Sequence, residues 1–112
     1  MLARENRIKT GAEFREAMKT GIKASGKATV IYLKRDESLT HARFGFIVSK
    51  TVSGAVGRNL IKRRLRSISR ELLSNHPTGF DLVIRALPEA KEFEWNRLQQ
   101  EVLSNAEALF SK

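Results

Sequence analysis

Cysteine is absent from all 112 residues, which excludes disulfides, thiolate metal cages and cysteine nucleophiles. Histidine is scarce. His41 and His76 both fall in segments read as loops, in no spacing that a metal cage or a catalytic triad requires, so each is expected to be a solvated loop residue. Asp36 and Asp81 are the only aspartates. The stretch GAVGRNLIK (54–62) lacks the Gly-Lys-Ser/Thr ending of a Walker loop. Long apolar runs are missing as well: the opening MLARENRIKT holds none that serves as a signal peptide or a membrane span, and a soluble cytoplasmic protein without a membrane partner is expected. With no nucleophile, base or metal cage legible, no catalytic residue and no metal ligand is assigned.

What the chain has in excess is positive charge. The formal net charge is +9 and the pI about 10.5. Residues 1–70 hold 17 Lys and Arg against 5 Asp and Glu, whereas residues 71–112 hold 4 against 7. The densest part lies within SKTVSGAVGRNLIKRRLRSISR (49–70), where Arg58, Lys62, Arg63, Arg64, Arg66 and Arg70 occur with no acid until Glu71. On a helix, Ile61, Leu65, Ile68 and Leu72 form a narrow apolar seam, while Lys62, Arg66 and Arg70 line up beside Asn59 and Arg63. A charge run is commonly a solvated helix face. An exposed helix of that kind normally interleaves acids at i, i+4, however, and this one does not, so the pattern points to a polyanionic partner, namely nucleic acid.

The length suits one domain spanning residues 1–112 with a modest core. Residues 1–9 are basic and aperiodic and are expected to lie on the surface as an arm. Thr10 followed by Glu13 matches a capping box and opens a short helix over residues 12–20 that presents Phe14, Ala17 and Met18 on one face. Residues 21–27, with two glycines and two lysines, read as a loop. Strands are expected at 28–33 (ATVIYL) and 43–49 (RFGFIVS), paired as an antiparallel hairpin. Gly54 and Gly57 precede the basic helix; a turn at 74–79 (SNHPTG) and a strand at 80–85 (FDLVIR) follow it. Trp95, Leu98, Val102, Ala106 and Leu109 mark a C-terminal helix from about residue 93. The order α-β-β-α-β-α predicts an α/β (α+β) two-layer sandwich with helices packed on a small mixed sheet. The third strand is expected to run parallel to the second, and the general rule for such crossovers favours the right hand.

Phe14 and Met18 on the first helix, with Tyr32, Phe44 and Phe46 on strands, either fill a core or stack on unpaired bases. An open sheet face carrying Tyr32 beside Phe14 would form a groove for a single strand.

These residues resemble a known family. Ser49-Lys50, Ala55-Val56, Arg58-Asn59, Lys62-Arg63 and Arg66 are similar, in type and spacing, to the signature of the bacterial ribonuclease P protein component. The resemblance extends from Glu5-Asn6-Arg7-Ile8 through Phe44-Gly45-Phe46 to about Phe110. It implies a small RNA-binding subunit of an endoribonuclease that removes the 5′ leader of precursor tRNA, a hydrolase whose chemistry belongs to the catalytic RNA and its Mg2+ ions. It also implies contact with that RNA by Lys50, Arg58, Asn59, Lys62, Arg63 and Arg66, contact with the leader by Phe14, Met18 and Tyr32, and a left-handed crossover. Two positions depart from the family pattern. Leu60 replaces a usual cation, with Arg64 as a neighbouring source of charge, and Met18 replaces a usual aromatic. The runner-up is a ribosomal or rRNA-binding structural protein. A DNA-binding helix-turn-helix is disfavoured because the basic helix is entered from a strand.

Overall fold

The structure, a computed structural model, describes residues 2–112. In chain order it contains α1 (Gly11–Thr20), β1 (Ile22–Ser25), β2 (Thr29–Arg35), β3 (Arg43–Ile47), α2 (Ala55–Asn75), β4 (Phe80–Ala86) and α3 (Trp95–Phe110). Short 3-10 turns lie at Arg4–Asn6 and Pro88–Glu92. The expected helix-on-sheet architecture is present. Four strands form a mixed sheet in the order β1-β2-β4-β3, with β4 antiparallel to β2 and parallel to β3.

Strand alternation divides the core in two. Ile31 and Leu33 of β2, Phe44 and Phe46 of β3, and Phe80, Leu82 and Ile84 of β4 face α2 and α3, which supply the seam Ile61, Leu65, Ile68 and Leu72 together with Leu98, Val102, Ala106 and Leu109. Phe80 meets Phe44 and Phe110 edge-on, with ring centroids 5.6 and 4.8 Å apart. The opposite face of the sheet receives α1 through Ala17 and Val83. That helix starts at a capping box: Thr10 Oγ1 accepts the Glu13 N–H and Glu13 Oε1 accepts the Thr10 N–H, each at 3.1 Å.

Four features differ from the sequence reading. The strands expected to pair as a hairpin are separated by β4. That strand is buried on both faces and must occupy the middle of the sheet. The connector from β2 to β3 crosses its entry: Asp36 N–H donates to Gly79 O, Gly79 N–H to Leu39 O and Ala42 N–H to Pro77 O, at 2.9 to 3.1 Å. Gly79 has φ +86, a conformation that glycine adopts without strain.

The second difference is the segment taken as a loop before residue 28, which contains β1, an edge strand paired antiparallel to β2. Its side chains are mostly exposed, so no apolar alternation announces it. Long-range bonds hold the turn that follows. The Glu101 carboxylate accepts N–H bonds from Lys27 and Ala28 and the Thr29 hydroxyl, at 2.8 to 3.1 Å. A Cβ at Gly26 would lie 2.3 Å from Glu101 Cδ, which explains glycine there.

Third, the N-terminal segment is packed rather than laid on the surface. Leu2 enters the main core, Asn6 Nδ2 donates to Ala42 O at 2.8 Å, and Ile8 N–H donates to Phe44 O at 2.9 Å along the outer edge of β3. Fourth, His76 is not a free loop residue. It caps the C-terminus of α2, stacks on Phe110 at 3.9 Å between centroids, and places Nε2 2.9 Å from Glu107 Oε1. His41 is exposed.

Candidate nucleic-acid interface

Burying the Ile61 to Leu72 seam fixes the rotation of α2 and so decides which cations face outward. Asn59, Arg63 and Arg70 are exposed, and Lys62 and Arg66 are half-buried at the flank. Arg63, Arg66, Ser67 and Arg70 line a surface hollow of about 260 Å³. None of these cations has an ion-pair partner among the described residues. Arg70, left out of the sequence assignment, belongs to the ridge by position. Lys50 is exposed ahead of the helix.

Two arginines are turned elsewhere. Arg58 folds back, its Nη1 donating to Ser53 O at 3.0 Å, and Arg64 reaches over to Phe93 O at 3.4 Å. Arg64 therefore points toward α3 and does not replace the cation missing at Leu60. Instead Val56, 86% exposed, and Leu60, 36% exposed, form a small apolar step on the ridge, one helical turn apart.

On the other face of the sheet, Phe14, Met18 and Tyr32 converge as the sequence suggested. All three are half-buried and pack with Ile47 around Ile8, Ala17 and Val83. Each is thus part core and part surface. Close approach of Phe14 depends on Gly45: a Cβ there would come within 2.4 Å of the Phe14 ring. Ridge and cleft meet at the edge of β3, where Phe14 and Arg66 line the same depression of about 120 Å³.

An ion network holds α1 against the sheet. Arg43 Nε and Nη2 donate to the two oxygens of buried Asp81 at 2.7 and 2.8 Å, and Nη1 donates to Glu13 Oε2 at 2.7 Å. Asp81, then burial opposing it, then Glu13 set the balance that raises the Arg43 pKa further above its ordinary value. For Glu13, partial burial raises the carboxyl pKa, but N–H donors from Lys9 and Thr10 and the Arg43 guanidinium outweigh it and hold the net value below the ordinary 4.5. A lowered folded-state value means that the charged form stabilises the fold fully above the ordinary value and loses that contribution as pH falls through the lowered one. The melting temperature is expected to drop on acidification below pH 4.5. Glu13→Gln should blunt that drop; an identical pH profile in the variant would show that Glu13 contributes nothing to it.

Among the described residues, no group of three or more His, Cys, Asp or Glu side chains is placed to hold a metal ion. No helix among the described residues is long and apolar enough to cross a membrane.

Comparison with known proteins bears on the chain as a whole. Residues 2–109 match the family model described as ribonuclease P. A ribonuclease P protein component from Clavibacter michiganensis is 40% identical over 104 residues, covering 93% of this chain and 92% of the relative. One from Nocardioides sp. is 45% identical over 92 residues, covering 80% and 79%. The solved Staphylococcus aureus RNase P protein superposes with a TM-score of 0.78 at 28% identity, over 95% of this chain and 93% of that one. The Thermotoga maritima RNase P protein shares the fold, with a TM-score of 0.76 at 22% identity over 88% and 92%.

Proposed function

Because this chain belongs to the ribonuclease P protein family, we propose that it is the protein subunit of that endoribonuclease, binding the catalytic RNA and the 5′ leader of precursor tRNA. The observation that carries the reading is the meeting of two surfaces at the β3 edge: a ridge of cations on α2, without ion-pair partners among the described residues, and a half-buried apolar cleft under α1.

Lys50, Lys62, Arg63 and Arg66, with Arg58 at the flank, neutralise phosphates of the folded RNA, and the Asn59 amide donates a hydrogen bond to it. A phosphate approaching Arg58 competes with Ser53 O for its guanidinium. The apolar surfaces of Phe14, Met18 and Tyr32 take unpaired bases of the leader, since any base can stack without being read. Leader cleavage belongs to the RNA, where Mg2+ supplies the Lewis acid and the activated water. Among the described residues, no side-chain group of this chain fits a metal cage. The protein's part is to hold the leader and to let the RNA fold at lower magnesium. Its expected compartment is the cytoplasm, where precursor tRNA is made and processed.

The test is cleavage of precursor tRNA by a bacterial ribonuclease P RNA at low magnesium, where adding this chain restores turnover. Tyr32→Ala in the same holoenzyme should weaken binding of leader-bearing tRNA by about 5-fold to 150-fold, matching ~1–3 kcal/mol for one lost stacking partner, and leave leaderless tRNA unchanged. Equal losses on both substrates would remove the cleft assignment.

A further inference from the structure

The open part of the α1 face carries two cations that its register brings into view. Lys23 of β1 pairs with Tyr32 of β2, and Arg85 of β4 pairs with Val30 of β2 and Ile47 of β3, so all of these side chains project from one face. Ala24, between Lys23 and Ser25, packs into the main core, which fixes the orientation of β1 independently. Arg85 is the one exposed residue of β4, a strand otherwise buried. It lines a hollow of about 320 Å³ with Ile47, Ser49 and Thr51, just ahead of α2. Lys23 is exposed too, and among the described residues neither cation has an ion-pair partner.

On a strand otherwise buried, the exposed Arg85 holds its guanidinium where an anion can reach it. Strand spacing of ~4.8 Å and a rise of ~3.4 Å per residue put the two Cα atoms about 12 Å apart, diagonally across the floor with Tyr32 beside the line between them. From this arrangement we infer that Lys23 and Arg85 are a two-point clamp for backbone phosphates of the single strand, on either side of the base stacked on Tyr32. The clamp rests on the leader-binding reading above and adds how the leader is gripped. Charge on the backbone, rather than base identity, supplies the hold, so leaders of unrelated sequence are accepted alike. Arg85, next to the 49–51 segment, also carries the track from the cleft toward the cations of α2.

The test uses holoenzyme reconstituted with a bacterial ribonuclease P RNA. Affinities for leader-bearing and leaderless tRNA are measured across a salt series for the wild type, Lys23→Gln with Arg85→Gln, Lys23→Arg with Arg85→Lys, and Tyr32→Ala. The double glutamine variant should lose at least tenfold on leader-bearing tRNA and nothing on leaderless tRNA. Its salt slope on the leader-bearing substrate should flatten by about 1.4, two single-strand phosphate contacts' worth. The charge-conserving pair should retain wild-type behaviour, and a leader with uncharged methylphosphonate linkages should bind the wild type and the glutamine variant equally. If the glutamine variant keeps its leader preference and slope while Tyr32→Ala loses the preference, the clamp is overturned and the cleft stands. If Tyr32→Ala keeps the preference as well, the cleft reading itself fails. Equal losses on both substrates, with folding intact by circular dichroism, would place these cations on another part of the RNA and also overturn the clamp.

Discussion

Alanine at Lys62, Arg63 and Arg66 together should lower affinity for the catalytic RNA by about a hundredfold and reduce the steepness of its salt dependence by about 3. The reasoning starts from packing. Because Ile61, Leu65, Ile68 and Leu72 are held in the core, the three cations cannot rotate inward, and among the described residues none has an acid to satisfy it. Each phosphate contact releases condensed counterions, so the free energy lost with each side chain depends on salt as well as on charge. Replacing Arg64 alone is the control. It reaches Phe93 O near α3, and its loss should leave the salt slope within experimental error of the wild type. Filter binding or fluorescence anisotropy over 50 to 400 mM salt reads both quantities. An unchanged slope in the triple variant would show that the RNA docks elsewhere.

Arg43→Met should destabilise the fold strongly. It leaves the carboxylate of Asp81, whose side chain is only 5% exposed, without its bidentate partner. Breaking such a pair from one side costs about 3–5 kcal/mol because the other charge stays buried. A small domain has about 5–15 kcal/mol in total, so a large share would go. The expected result is a melting temperature lower by about 15 °C or more. Combining Arg43→Met with Asp81→Leu should recover most of the loss, since an apolar pair of similar volume carries no desolvation cost. Were the double variant no better than the single one, the damage would come from lost packing rather than from a stranded charge.

How much of this was legible in the residues depended on whether a signal was local. The capping box at Thr10 and Glu13, the seam of α2 and the apolar stripe of α3 are periodic within one segment, and each became the element it announced. The convergence of Phe14, Met18 and Tyr32 was also readable, through the family resemblance. Strand neighbours were not. The sequence proximity of β2 and β3 suggested pairing, whereas β4, the most buried strand, displaced β3 to the edge. β1 was hidden because an exposed edge strand needs few apolar residues, and its anchor, Glu101, lies more than seventy residues away. Lys23 and Arg85 became visible as candidates only once strand register was known, whereas Arg70 already lined up with Lys62 and Arg66 by helical periodicity.

The central place of β4 has a consequence for biosynthesis. Three strands leave the ribosome before it, and only β1 and β2 can join at once as neighbours; β3 has no partner strand until residues 80–86 emerge. The sheet therefore closes by a late insertion, a non-local step of the kind that slows folding. Until then the nascent chain displays the apolar sides of β2 and β3 together with its most cationic helix.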